Sequence, residues 1–255
     1  MKNQKVSNKR VGYLYDPIYL KHDTGPHHPE SSARLRAIEK AVAPLKRLLI
    51  SLPPLAVSES ILRLVHTPEH IQKVRRASAA EVAIDPDTVC SQESYHAAVE
   101  AVGAGVAAID GIKSGTIERA FCAVRPPGHH ATPTVPMGFC LFNNIAITAR
   151  YAQSQCYHRV MIIDFDVHHG NGTQDTFWED KTVFYFGSHQ AFIFPGSGAQ
   201  SEIGAGRGRG YTANHPMMPD SGDREVLEIY REELPRSFAF FKPDILLVSA
   251  GYDLH

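Results

Sequence analysis

The chain has no C-x-x-C pair. Its four cysteines, Cys90, Cys122, Cys140 and Cys156, are dispersed, and Cys122 and Cys140 lie in or beside apolar runs. This argues against a disulfide frame and for reduced core thiols, so a cytoplasmic setting is expected. Net charge is nearly absent, at -1, which gives no support to direct nucleic-acid binding. No apolar run reaches membrane-spanning length; the nearest, Ala101 to Ile112, is interrupted by Asp110. The basic opening MKNQKVSNKR has no apolar stretch behind it and does not read as a secretory signal. There is no internal repeat and no low-complexity linker. The 255 residues therefore suggest one domain, 1-255, with room for a substantial α/β core. Histidine is abundant: there are fourteen, and several are clustered.

The organising stretch is Met161 to Thr173, MIIDFDVHHGNGT. Its apolar opening predicts a buried parallel strand. In an extended chain Asp164, Asp166 and His168 project to one face. Two carboxylates and an imidazole suit a divalent metal such as zinc. Gly170, Asn171 and Gly172 then end the strand, which puts the cluster at its C-terminal end, where open α/β sheets bind ligands.

Further elements follow in order. Val11 to Tyr15 predicts a strand and Ala33 to Leu48 a helix, with Arg34 in its first turn; by spacing alone Arg34 is a solvated helix residue. Ile61 to Val65 (ILRLV) predicts a short strand, and Thr67 begins a helix, with Pro68 at the first helical position and Glu69 just after it. Asp85 and Asp87 lie in a loop, after which a helix rich in Ala and Gly begins at Ser91 or Ser94. Ala120 to Val124 predicts a strand that stops at Arg125-Pro126-Pro127-Gly128, a rigid turn leading to His129 and His130.

A helix is expected over Asn143 to Ser154, and strands over Thr182 to Phe186, Tyr211 to Pro216 and Ile245 to Ser249. A helix over Asp223 to Phe241 carries Pro235 as a kink or split. The glycine-rich Gly196 to Gly210 lacks the strand, helix and G-K-[ST] of a phosphate cradle. Strands alternating with helices, with polar chemistry at three strand ends, predict a doubly wound, mainly parallel sheet with helices on both faces. Asp166, His168 and Asp253 would hold a metal with a position left open, and the histidine pair can move protons, which together suit amide hydrolysis.

RPPGHHATPTVPMGFCLFNN, DFDVHHGNGT, FPGSG and SAGYD resemble the signature blocks of the zinc-dependent histone deacetylase superfamily. That superfamily includes bacterial deacetylase-like amidohydrolases, acetoin-utilisation proteins and acetylpolyamine amidohydrolases. The resemblance runs from about Gly12 to the last residue and is nearer to the class II branch. It implies an arginase/deacetylase-like fold and the removal of acetyl groups from acetyl-lysine in proteins or from small acetylated amines.

By the same resemblance zinc is held by Asp166, His168 and Asp253. His130 is the general base and acid, His129 is an electrostatic partner oriented by Asp164, and Asn171 stands beside His130 where the class I branch has a carboxylate. Gly138, Phe139 and Phe194 line a narrow channel for the acyl-lysine stem, Asp87 grips the substrate backbone at the rim, and Arg34 lines the acetate-release cavity. A structural potassium ion is implied at Asp164 and the carbonyls of Asp166 and His168, with Gly187 where some relatives offer a serine hydroxyl.

The sequence stops two residues after Asp253, before the Gly-Gly-Tyr that delivers the family's oxyanion donor, so the domain is expected to be C-terminally incomplete. Two other functions compete: a catalytically silent acyl-lysine-binding homologue, and an arginase-type manganese hydrolase, which favours a D-x-H-x-D pattern that Val167 to Gly170 does not supply. Nothing in the sequence specifies an oligomer.

Overall fold

The computed structural model describes residues 10–253; the first nine and the last two positions lie outside them. Two ladders, parallel at every strand pair, form the centre of the molecule. One has the order β2-β1-β3, from β1 (Val11–Leu14), β2 (Leu49–Leu52) and β3 (Arg119–Cys122). The other has the order β6-β5-β4-β7, from β4 (Val160–Asp164), β5 (Val183–Gln190), β6 (Thr212–Met217) and β7 (Ile245–Ser249). β4 is buried along its whole length, and its near-continuous apolar run is what a central parallel strand covered on both faces requires.

Helices cover both faces, so the doubly wound α/β architecture is present. On one face α4 (Ser94–Lys113) and α5 (Asn144–Ser154) pack Ile109, Ala146 and Ala149 against Val160 and Ile162. On the other, Phe241 and Leu234 cover Met161, Ile163 and Phe184. These last two come from the Asp223–Phe241 helix. It runs as α7 (Asp223–Glu228), one π turn (Ile229–Glu233) and α8 (Leu234–Phe241), with Pro235 in the first turn of α8. The π turn closes with the Leu234 amide on the Ile229 carbonyl immediately before the proline, and the helix continues without splitting. At the edge of its ladder β7 alternates, and Leu246 and Val248 are exposed.

Three expectations fail locally. Ile61 to Val65 is not a strand: α2 (Glu59–Leu62) and a turn occupy it, and Leu62 is buried with Ile71 and Val74 of α3 (Pro68–Ala80). The helix expected to reach Leu48 is α1 (Ser32–Val42) followed by a 3-10 segment containing Pro44, after which β2 forms where no strand was expected. Cys156 is exposed, whereas Cys90 and Cys140 are buried; all four thiols are free.

Several histidines are buried away from the strand ends. His66 and His70 stack at 4.0 Å; His66 accepts from the Asn143 amide at 2.8 Å, and His70 Nε2 lies 2.7 Å from the Leu141 carbonyl. Burial pushes His66 down to about 3 and His70 to about 4, and burial with the nearby Arg125 charge pushes His22 to about 3. These imidazoles are neutral in the fold, whereas in the unfolded chain they protonate below about pH 6.5. Their stabilisation is complete above that pH and is lost as pH falls, because the unfolded state then binds protons the folded state refuses. The thermal midpoint should therefore drop between pH 7 and pH 4, and His70→Gln should flatten that slope; an unchanged slope in the variant would contradict the assignment.

Candidate functional site

β4 delivers Asp164 as its last residue, and from there the chain is guided by hydrogen bonds. Asp164 Oδ1 accepts from the Asp166 amide at 3.2 Å, and Asp166 Oδ1 accepts from the His168 amide at 2.8 Å. Strand alternation thus ends at Asp164, and it is this turn, not the pleat, that places Asp166 and His168. The segment that follows the neighbouring strand β7 supplies the third group: Asp253 Oδ2 lies 3.1 Å from His168 Nδ1, and Asp166 Oδ1 lies 3.2 Å from the same atom. The candidate ligand atoms of Asp166, His168 and Asp253 all fall within 4.8 Å of one another. Gly251 makes this approach feasible, since a Cβ there would sit 1.6 Å from Asp166 Oδ2.

The electrostatics fit a cation. Hydrogen bonds to Asp166 and then to Asp253 push His168 up to about 9. Burial pushes Asp166 up, but the His168 hydrogen bond and the charges of His129 and His168 outweigh it and hold the carboxyl at about 2. Two carboxylates thus favour a positive charge at His168. A divalent ion supplies that charge more strongly and requires the imidazole neutral, so metal and proton compete for the same three side chains. The N/O donor set and the count of three match a catalytic zinc centre.

β3 leads through Arg125 to His129 and His130, whose rings lie 3.9 Å apart. His129 Nδ1 lies 3.0 Å from Asp164 Oδ2. Burial opposes its protonation, but the Asp164 carboxylate outweighs burial and raises it to about 8. His130 is pushed down to about 2, by burial first and then by the charge on His129. Its Nδ1 lies 2.8 Å from Asn171 Oδ1, at the start of α6 (Asn171–Phe177). The Asn171 amide nitrogen points instead to the His130 carbonyl and Met137 Sδ. With that amide orientation Nδ1 carries the hydrogen and Nε2 is left as the acceptor.

The other predicted residues are placed as follows. Gly138 has φ 57, and a Cβ there would lie 2.6 Å from the His130 ring. The Phe139 ring meets His28 edge-on at 4.7 Å, and the Phe194 ring meets His130 at 4.9 Å and His168 at 6.4 Å. Asp87 is exposed and reaches inward through its carbonyl, which lies 3.0 Å from His28 Nε2. Gly187 pairs with Asp164, and the Tyr185 hydroxyl, which accepts from the Gly170 amide at 3.1 Å, stands over it. The Arg34 side chain is 41% exposed and pairs with Glu30 at 3.2 Å.

The arginine buried in this region is Arg125, read from sequence only as part of a turn. Its Nε donates to both Glu30 oxygens at 2.8 Å, and Nη1 donates to the carbonyls of Tyr19 and His22. The available signal was an arginine just past a strand and ahead of two prolines, with Glu30 as an acidic partner in the His-Pro-Glu run. Arg125→Met would leave a buried carboxylate facing the half-exposed Arg34 and, at 3.9 Å, the His22 imidazole, so a loss of about 3–5 kcal/mol is expected in denaturant unfolding; a change below about 1 kcal/mol would show the pair to be dispensable.

Comparisons with known proteins bear on the chain as a whole. A family model described as the histone deacetylase domain matches residues 28–255. A probable deacetylase of Archaeoglobus fulgidus is 35% identical over 250 residues, covering 96% of this chain and 69% of that protein. Histone deacetylase 14, chloroplastic, of Arabidopsis thaliana is 39% identical, covering 89% of this chain and 59% of that protein. For histone deacetylase 10, chloroplastic, of Oryza sativa the identity is 38% and the shares are 89% and 56%. The crystal structure of the HDA15 HD domain superposes with a TM-score of 0.90 at 33% identity, covering 96% of this chain and 73% of that one. The chain thus spans little more than half the length of the two plant relatives.

Proposed function

The chain belongs to the histone deacetylase family, and from that premise we propose that it carries the centre of a zinc-dependent amidohydrolase acting on acetyl-lysine in proteins or on small acetylated amines. The observation that supports this most directly is the convergence of Asp166, His168 and Asp253 beside a neutral, oriented His130.

In this reading Asp166, His168 and Asp253 hold the zinc ion. A zinc ion there supplies a Lewis acid toward the amide carbonyl and lowers the pKa of water. His130 Nε2 takes a proton from the attacking water as the water oxygen adds to the carbonyl carbon. It gives that proton to the amine nitrogen as the C–N bond breaks, so the imidazole ends as it began. Asn171 keeps Nδ1–H in place and fixes the tautomer this requires. His129, held charged by Asp164, adds positive potential near the developing negative charge.

Gly138, Phe139 and Phe194 bound the approach as walls for an unbranched stem, Asp87 is available at the rim to accept a substrate backbone N–H, and Arg34 is assigned to the released acetate. A potassium ion would use Asp164 and the carbonyls of Asp166 and His168; at Gly187 no side-chain oxygen is offered to it. A cytoplasmic reaction is consistent with the four free thiols. Among the described residues no helix is long and apolar enough to cross a membrane.

The deciding assay is acetate release from an acetyl-lysine peptide and from an acetylated diamine, using the protein at its natural full length with zinc at one equivalent. Zinc-dependent release from either substrate is expected. Zinc uptake without release from either would overturn the hydrolase reading.

A further inference from the structure

We propose that Glu202 is a positioning residue for the channel: its carboxylate, clasped by Gln174 and two backbone amides, fixes the loop that carries Phe194 and so sets how tightly an alkyl stem is gripped. The inference rests on the reading of Phe194 as a channel wall.

The chain between β5 and the 3-10 turn at Gly206–Gly208 has no regular structure, yet Phe194 must hold its ring against His130. The tip closes on itself only through the Gly196 amide and the Ile193 carbonyl at 2.9 Å. Its position is therefore set where the loop leaves the body: at one end the Ala191 amide donates to the Met217 carbonyl at 2.7 Å, and at the other lies the base. There Glu202 accepts from the Gly198 amide at 3.0 and 3.1 Å, from the Ala199 amide at 3.1 Å, and from Gln174 Nε2 at 2.6 Å. Gln174 belongs to α6, the helix that starts with Asn171. Its Oε1 accepts from Asn214 Nδ2 at 2.6 Å and lies 3.2 Å from His169 Nε2. Asn214 Nδ2 also donates to the Glu202 carbonyl at 3.0 Å. Ser197 Oγ lies 2.9 Å from His169 Nδ1, and the Gly198 carbonyl lies 3.0 Å from His189 Nε2.

Gly198 has φ 89, and a Cβ on it would lie 2.5 Å from His189 Nε2, so the loop base is closely seated. All donors to the Glu202 carboxylate are neutral N–H groups. Burial pushes its carboxyl up, but the Gln174 amide and the Ala199 and Gly198 amides outweigh burial and hold it below the ordinary range, so the charge persists. A carboxylate offers acceptor oxygens in every direction these donors come from. Glutamine at this position has nearly the same shape but turns an N–H group toward at least one of them.

The test is steady-state kinetics on Glu202→Gln, Glu202→Asp, Phe194→Ala and the Phe194→Ala/Glu202→Gln double variant, with amide hydrogen exchange measured alongside. Glu202→Gln should raise KM for an acetyl-lysine peptide by about 10-fold with kcat changed less than about 3-fold, because it loosens a preformed wall rather than the reacting groups. Glu202→Asp should recover part of the loss. On the Phe194→Ala background Glu202→Gln should add nothing to KM, the non-additivity expected of residues acting through one contact. The Gly198 and Ala199 amides should exchange faster in Glu202→Gln while those of α4 do not.

Equal KM effects with and without Phe194, or a loss confined to kcat, would overturn the proposal. So would unchanged exchange at Gly198 and Ala199, whether or not the wild type hydrolyses acetyl-lysine. If the wild type turns over neither acetylated substrate, it is the functional reading that fails, and the exchange data still decide whether the clasp holds the loop.

Discussion

Asp166→Ala protein will purify without stoichiometric zinc and will lose more than about 10³-fold in kcat/KM, roughly 4 kcal/mol of transition-state stabilisation. Asp166 is the most buried of the three candidate ligands and the best connected. It orders the His168 amide, faces His168 Nδ1 and lies 3.9 Å from His129 Nε2. Removing it takes away a ligand and also the hydrogen bond that turns the chain after β4. His168 and Asp253 alone offer two donors, too few to hold a zinc ion in the geometry a catalytic centre needs. Elemental analysis showing one zinc per chain in the Asp166→Ala protein would remove the trio from consideration. Loss of zinc with activity retained would place hydrolysis elsewhere.

The second large effect is expected at the histidine pair, where two adjacent side chains of one type should behave differently. His130→Ala should cost about 10³-fold or more in kcat, within the range for removing a general acid–base, and His129→Ala distinctly less. The difference lies in their partners. His129 faces a carboxylate and is held charged, so it cannot accept a proton; His130 faces a neutral amide and is held neutral, so it can.

The same argument fixes a pH dependence. Asn171→Asp would put a carboxylate beside His130 Nδ1, stabilise the imidazolium and raise its pKa. The base form would then be lost at a higher pH, so the acid limb of kcat/KM should move upward. Activity profiles of wild type and Asn171→Asp, recorded together, check this. An acid limb that stays in place, or a His129 variant less active than the His130 variant, would reverse the assignment within the pair.

The strands that carry chemistry were legible in the sequence because each is a short run followed within a few residues by charged or imidazole side chains, and a parallel sheet sends such ends to one side. What was not legible depended on context. ILRLV satisfies a strand template as well as a helical one, and only the packing of Leu62 beneath α3 decides between them. β2 was hidden because Leu49 to Leu52 follows a helical pattern without a clear break except at Pro44. The alternation of Asp164, Asp166 and His168 gave the correct grouping for an incomplete reason, since only Asp164 lies on the strand. Arg125 and Glu202 were passed over because their partners sit on remote segments: Glu30 lies far upstream of Arg125, and Gln174 belongs to a different element from Glu202. Periodicity reports what a residue does within its own element and says nothing of such meetings.

The buried Arg125 gives the Asp16–Glu30 segment an unusual mechanical character. Beyond one 3-10 turn that stretch has no regular structure, yet a single guanidinium beneath it takes up carbonyls from Tyr19 and His22 together with the Glu30 carboxylate. Its order comes from this anchor below and from single contacts to α4 and its approach, such as His22 Nδ1 with Ser94 Oγ at 2.7 Å and Tyr19 Oη with the Glu100 carbonyl at 3.1 Å, not from a repeating ladder along its length. Substitutions at its outward positions, such as Lys21 and His27, should then be absorbed with little thermodynamic consequence, whereas Gly25, at φ 89, should resist a side chain, and the conformation around His28 and Phe139 persists. A ligand arriving there would meet a wall already set in place and would forfeit little freedom in settling against it. Diversification of this region by directed evolution could therefore alter what the mouth prefers without first having to rebuild the mouth.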